Sequence, residues 1–283
     1  MVKGPHLQRL RSQVELQLCV VRLEKQESNA ERADRMIAEA KRVIAQAKDR
    51  DLHLRLLGAI AFQIQCPKFN FLSRKLNRVL TDLDFAGYSK ENNQIASLMR
   101  ELGYADEPAV TTLFGHKRML WDHPTNGLHA DVFFDKLEMN HNIPFENRLD
   151  VEEMTIPLAD LLLEKMQIVQ INEKDIIDTV MLLREHEIAD TSPKGAIDAG
   201  YISKLLANDW GFYYTVTTNL GKIKGRLDQF GELKDEDRTD ISHKIERLLD
   251  RIESQAKGFS WKMRAKVGAK SKWYKDVEEV IDR

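Results

Sequence analysis

The sequence predicts an α+β protein, with a small mixed-sheet core over residues 51–156 and a helical C-terminal region over 157–283. N-terminal helices, residues 1–50, precede the core. Two features predict this class. Short β-prone runs cluster in "RVLTDLDFAGY" and "TTLFGHKRMLWDHPTNGLHADVFFD". From Pro157 onward the apolar residues fall at helical spacing instead.

The elements follow in order. Ser28-Asn29-Ala30-Glu31 has the form of a capping box, and Ala33, Met36, Ile37, Ala40, Ile44 and Ala47 continue it at helical spacing to about Lys48. The apolar run "LHLRLLGAIAFQIQCP" reads as helical at its start, turning to strand before Pro67. Val79, Leu80, Leu83 and Phe85 form a strand around two aspartates. Ser89–Leu102 reads as a short helix stopped by Gly103. Thr111–Trp121 and Leu128–Phe134 flank a turn rich in Pro, Asn and Gly and read as a hairpin. "LADLLLEKMQIVQ" and "EKDIIDTVMLLREH" predict two amphipathic helices joined at Asn172, "ADTSPKGAIDAG" a loop, and the remainder more helices.

Composition excludes several classes. The chain has 283 residues and a net charge of −2, which suits one large domain or two modest ones. That charge argues against general coating of nucleic acid but leaves room for local basic patches. The longest apolar run, near Leu56–Phe62, is far shorter than the ~20 residues that span a bilayer. The opening "MVKGPHLQRLRSQ" lacks the apolar core of a signal peptide. The expectation is a cytoplasmic protein with no membrane partner. Cys19 and Cys66 are too few for a disulfide or metal framework and read as free thiols.

Chemistry is written most densely in "TDLDFAG". Residues i and i+2 of a strand share a face, so Asp82 and Asp84 lie side by side and repel. Asp131 sits mid-strand in "LHADVFFD", sharing its face with His129 and Asp135. One reading is structural: each aspartate caps a turn or pairs with Arg78, Lys117 or Arg118. The other is a divalent cation, Mg²⁺ or Mn²⁺, held by the oxygens of Asp82, Asp84 and Asp131, an apparatus suited to in-line phosphoryl chemistry.

These residues resemble the DNA polymerase β-type nucleotidyltransferase superfamily. "LLGAIAF" is similar to its glycine signature with Gly58 at the key position, "TDLDFAGYSKE" to its paired-aspartate strand, and "HADVFFD" to its third-aspartate strand. The signature continues Gly with Gly or Ser, and here Ala59 follows. The interval from Gly58 to Asp82 is also long for the superfamily. More narrowly, "LADLLLEKMQIVQINEKDIIDTVMLL" resembles the lysine-then-aspartate helices of AbiEii-like nucleotidyltransferases, among them the mycobacterial MenT toxins. The resemblance covers roughly residues 54–186. It implies transfer of a nucleoside monophosphate from an NTP to an acceptor. In it Asp82, Asp84 and Asp131 are the catalytic and metal-binding residues. Gly58 and Ala59 lie at the phosphates, Lys165 at the triphosphate, and Asp175 or Asp178 supports the site. A toxin role with an antitoxin partner comes with the same likeness.

The acceptor is suggested elsewhere. Lys257–Lys275 holds seven Lys or Arg and no acid, with Trp261, Trp273 and Tyr274 interleaved. Cations for phosphates and rings for bases suit an RNA acceptor such as a tRNA. The same composition suits a solvated basic helix anchored by its aromatics. A small-molecule acceptor, as in antibiotic nucleotidyltransferases, and an inactive nucleotide- or RNA-binding module are the competing functions.

Overall fold

The computed structural model describes residues 27–76, 78–107, 115–191 and 194–277. Its first helix, α1 (Asn29–Lys48), starts where the capping box predicts. The Glu31 N–H donates to Ser28 Oγ at 3.2 Å and the Ser28 N–H to Glu31 Oε2 at 3.0 Å. One face, with Met36, Ala40, Val43, Ile44 and Ala47, is buried. Each large apolar side chain there contributes about 1.5–3 kcal/mol.

The next apolar run folds in the reverse of the expected order. Strand β1 (Leu54–Leu57) comes first and helix α2 (Gly58–Gln65) second. Arg55 interrupts the leucines with the alternation of a strand, and Gly58, at φ +69°, makes the turn into the helix. A short continuous apolar run does not reveal its own period. A short helix α3 (Phe71–Lys75) leads to strand β2 (Asp82–Gly87). A 3₁₀ turn at Ser89–Glu91 and helix α4 (Asn92–Glu101) follow, ended by Gly103 at φ +96°.

Strands β3 (Ala105–Asp106), β4 (Arg118–Asp122) and β5 (His129–Phe134) complete a five-stranded sheet of order β1-β2-β5-β4-β3. The predicted hairpin is β4 and β5, paired antiparallel, with Thr111–Phe114 of its first run outside the described residues. Within this sheet β2 and β5 pair in parallel and the other neighbouring strands antiparallel, which makes it mixed. A small hairpin, β6 (Lys136–Glu138) and β7 (Asn142–Pro144), follows directly.

Helices α5 (Leu158–Met166) and α6 (Glu173–Glu185) are joined through Asn172, which caps α6. They differ from the amphipathic expectation. Every residue of α5 is buried, as is the run Asp175–Leu183 of α6. The reason is position: α2 packs on both, and later helices cover what the sheet side leaves open. Those are α7 (Ala199–Leu206), α8 (Trp210–Lys224) and α9 (Asp235–Ser254). The predicted loop near residue 190 is bounded by two short strands, β8 (Ile188–Ala189) and β9 (Ile197–Asp198), which pair in parallel. Asp198 then caps α7, its Oδ1 accepting from the Tyr201 N–H at 2.9 Å.

A single apolar cluster runs from Met36 in α1 to Ile252 in α9, so the sheet and the helices share one core. Helix α10 (Phe259–Val267) lies on the surface with no buried residue. The chain after it returns to the β6–β7 hairpin, where the Lys275 N–H bonds the Asn140 carbonyl at 3.0 Å. No described helix is long and apolar enough to cross a membrane. Cys66 is buried, which pushes its thiol pKa up, and Cys19 lies outside the described residues.

Candidate active site

The parallel register of β2 and β5 sets Asp84 opposite Asp131 and Asp82 opposite His129. Leu83 and Ala130 between them point to the buried face, so the three aspartates share the other. Asp84 keeps some open surface although protein encloses it closely. Burial and the charges of Asp131, Glu164 and Asp82 push its pKa up to about 8, against a smaller opposing pull from Lys165.

Gly58 meets this face from the start of α2. A Cβ there would lie 2.2 Å from Asp84 Oδ2. The Gly58 N–H donates to Glu164 Oε2 at 3.0 Å, and Ala59 is half-buried beside it. Of the aspartates predicted from sequence, Asp84 is therefore the one the glycine packs against. Glu164 is an acid the sequence reading missed. Its signal was the adjacent charged pair Glu164-Lys165 inside an otherwise apolar turn, a place where neither charge is buried alone.

Lys165 is buried under Glu164 at 3.2 Å, Asp178 at 3.4 Å and Asp175 at 3.7 Å, with its ammonium over the Phe62 ring. Burial alone would lower its pKa; Glu164, Asp178 and Asp175 outweigh that and hold it above the ordinary lysine value. Arg78 adds a second cation, its Nη2 3.2 Å from Asp178 Oδ2. Glu164 and Asp175 still sit above the usual carboxylate range, because burial outweighs the attraction of Lys165. Asp175 also closes the N-terminus of α6 in a capping box with Asn172.

Asp131 turns Oδ2 onto Arg118 Nη2 at 2.5 Å, while its buried Oδ1 has no hydrogen-bond partner. The ion-pair reading of this aspartate is thus realised through Arg118. His129 pairs with Asp122 across β4 and β5. Asp135 leaves the strand at φ +62° and accepts from the Ser89 N–H at 2.9 Å. Among the described residues no group of three or more His, Cys, Asp or Glu stands in position to hold a metal ion. The donor set nevertheless has the chemistry of a hard cation site: carboxylate oxygens only, one of them buried and unsatisfied.

The basic C-terminal segment divides into two faces. The Trp261 indole donates to the Leu206 carbonyl at 3.0 Å and Trp273 to Thr215 Oγ1 at 3.1 Å, so these rings anchor the segment. Arg264 stacks on Trp210, its guanidinium 4.6 Å from the ring centroid, and donates to the Gly268 carbonyl at 2.7 Å. Lys272 and Lys275 pair with Asp276 and Glu138. Lys262, Lys266 and Lys270 make no ion pair among the described residues, and Phe259 is 81% exposed beside them.

The chain matches no protein-family model and no curated protein.

A pH dependence follows from Asp84. Its pKa rises from 3.8 to about 8 on folding, so between those values the folded protein holds a proton that the unfolded chain has released. That contribution to stability is complete below about pH 4 and is lost as the pH rises through about 8. Asp84→Asn, which mimics the protonated acid, is expected to flatten the decline. Urea denaturation at about pH 6 and pH 9 without metal measures it. An unchanged slope would show that Asp84 is already ionised in the folded protein.

Proposed function

We propose that the protein is a metal-dependent nucleotidyltransferase that moves a nucleoside monophosphate from an NTP to an acceptor. The observation that carries this is the aligned pair Asp84 and Asp131 on parallel strands, with Gly58 packed against Asp84. A polymerase β-type likeness, in its AbiEii-like form, motivates the reading, and the toxin role and antitoxin partner belong to it as proposals. Asp82, Asp84 and Asp131 would hold Mg²⁺ or Mn²⁺, which supplies charge neutralisation on the triphosphate. Asp131 is suited to take the proton of the attacking hydroxyl once it leaves Arg118. The acceptor oxygen then bonds to the α-phosphorus as the bond to the pyrophosphate oxygen breaks. The first-turn N–H groups of α2, at Ala59 and beyond, offer donors for phosphate without a side-chain hydroxyl. Lys165 organises Glu164 and Asp178 and acts on the triphosphate only through that cluster.

RNA is the acceptor proposed, supported by Lys262, Lys266 and Lys270, which make no ion pair among the described residues, and by the exposed Phe259. The test is incubation with each α-³²P-labelled NTP, Mg²⁺ or Mn²⁺, and total tRNA, beside an Asp82→Ala, Asp84→Ala protein. Label on RNA with the unaltered chain alone is the expected result. Metal-dependent NTP loss without labelled RNA would redirect the acceptor to a small molecule or protein. No turnover and no metal-dependent stabilisation would leave a non-catalytic binding module.

A further inference from the structure

Among the described residues the exposed large apolar side chains are Phe259, Met263, Val267 and Val277. Three of these four lie on α10, each four residues after the last, so they form one column along the helix with a step of about 6 Å. Phe259 is 81% exposed. Apolar side chains gathered on one helix, rather than scattered singly, mark a contact surface.

The charges on the same helix indicate what it contacts. Lys262 and Lys266 form a second column about 60° round the helix from the first, and Lys270 lies just beyond, in the 3₁₀ turn Gly268–Lys270. All three are exposed and make no ion pair among the described residues. These lysines flank the apolar column on one side only.

On the other side come Ser260 and Arg264, and the Arg264 guanidinium is committed to Trp210 and to the carbonyls of Gly268, Ser271 and Lys272. Ser260 and Arg264 line a cavity of about 510 Å³ whose walls include Trp261, Trp273 and Tyr274. That volume falls within the roughly 300–1,000 Å³ of ordinary ligand sites. Two further cations at the cavity, Lys272 and Lys275, are paired with Asp276 and Glu138, so its character is aromatic more than cationic.

A single strand of nucleic acid has the same asymmetry, with phosphates along one side and open base faces on the other. We propose that α10 is a site for single-stranded RNA, with phosphates along Lys262, Lys266 and Lys270, one base stacked on Phe259 and a neighbouring base in the aromatic cavity. A duplex suits the surface less well, because its bases are stacked on one another and only the lysines would meet it. A protein partner suits it less well, because nine residues of helix fall short of the roughly 20–30 residues a side of a stable interface. A lipid headgroup patch is marked by roughly four to eight clustered cations, more than the three that make no ion pair here among the described residues. The inference rests on the reading of RNA as the acceptor and narrows that RNA to an unpaired segment.

The test is fluorescence anisotropy of a labelled, unstructured oligouridine of about 12 nucleotides with the full chain, without NTP, across about 50–200 mM salt. Replacing Lys262, Lys266 and Lys270 together by alanine is expected to make the slope of log K against log salt shallower by about 2, since each single-strand phosphate contact contributes about 0.7. Phe259→Ala is expected to weaken binding about 5- to 150-fold with the slope unchanged, the effect of one stacked base. All four side chains are exposed, so the substitutions leave the core untouched. RNA is also expected to quench the emission of Trp210, Trp261 and Trp273, which line the cavity. Undiminished affinity in Phe259→Ala, or an unchanged salt slope in the lysine variant, would overturn the proposal, and unchanged emission at saturation would remove the cavity from it. Duplex RNA bound as tightly, with the same loss in Phe259→Ala, would overturn it too. Loss of binding to phosphatidylserine vesicles in these variants, with RNA binding intact, would reassign the face to lipid. Binding is read without turnover, so the site and the reaction separate. RNA binding that depends on Phe259 but comes with no nucleotidyl transfer would sustain the site and sink the reaction. Transfer to RNA at an undiminished rate in both variants would do the reverse.

Discussion

Lys165→Met is expected to lower the unfolding free energy by about 3–5 kcal/mol, the usual cost of leaving buried charges without their partner. The ammonium lies among Glu164, Asp175 and Asp178, all nearly inaccessible, and only Arg78 would remain to offset them. Methionine keeps the length of the apolar stem while removing the ammonium, so the variant reads chiefly the effect of charge. Without Lys165 the raised pKa values of Glu164 and Asp175 rise further, so the folded state binds more protons than the unfolded chain. The deficit is therefore expected to shrink as pH falls from about 8 to 5. Urea titrations of both proteins across that range check it. A loss below about 1 kcal/mol, or one that grows on acidification, would mean the cluster is not held by this cation.

Gly58→Ala is expected to remove activity while costing stability as well. The left-handed φ of +69° costs an L-residue about 1 kcal/mol. The larger effect is contact: the new methyl would lie 2.2 Å from Asp84 Oδ2 and 3.0 Å from its Cγ, so the carboxylate must move. Displacing a reacting group by about 1 Å costs on the order of 100-fold in rate. Together with the steric term, a stability loss of about 2–4 kcal/mol is expected. Single-turnover transfer of labelled NMP and denaturant unfolding measure the two parts. A rate close to that of the unaltered chain would show that the contact between Gly58 and Asp84 does not position the chemistry.

Much of this face was legible in the sequence because a strand has period two. The spacing of Asp82 and Asp84 dictated a shared face, and "HADVFFD" marked Asp131 as an acid in an apolar strand. Their direct alignment was not legible. It depends on β2 and β5 pairing in parallel although α4, β3 and β4 lie between them in the chain, and no local pattern encodes that register. The order of β1 and α2 was misread because four strand residues gave too little alternation to separate the two periods. Glu164 escaped for another reason. It is a polar residue buried by packing between distant segments, and burial of that kind is a property of the assembled core.

The all-round burial of α5 also has a consequence for how the protein is made. The helix leaves the ribosome before helices that enclose it, and α8 is the last of those to emerge. At ordinary translation speeds that interval is on the order of ten seconds. Throughout it the nascent chain carries a helix whose six apolar residues lack part of their packing and whose charged residues lack some of their partners. The yield of folded protein is therefore expected to fall when chaperones are limiting during synthesis, whatever the stability of the finished molecule.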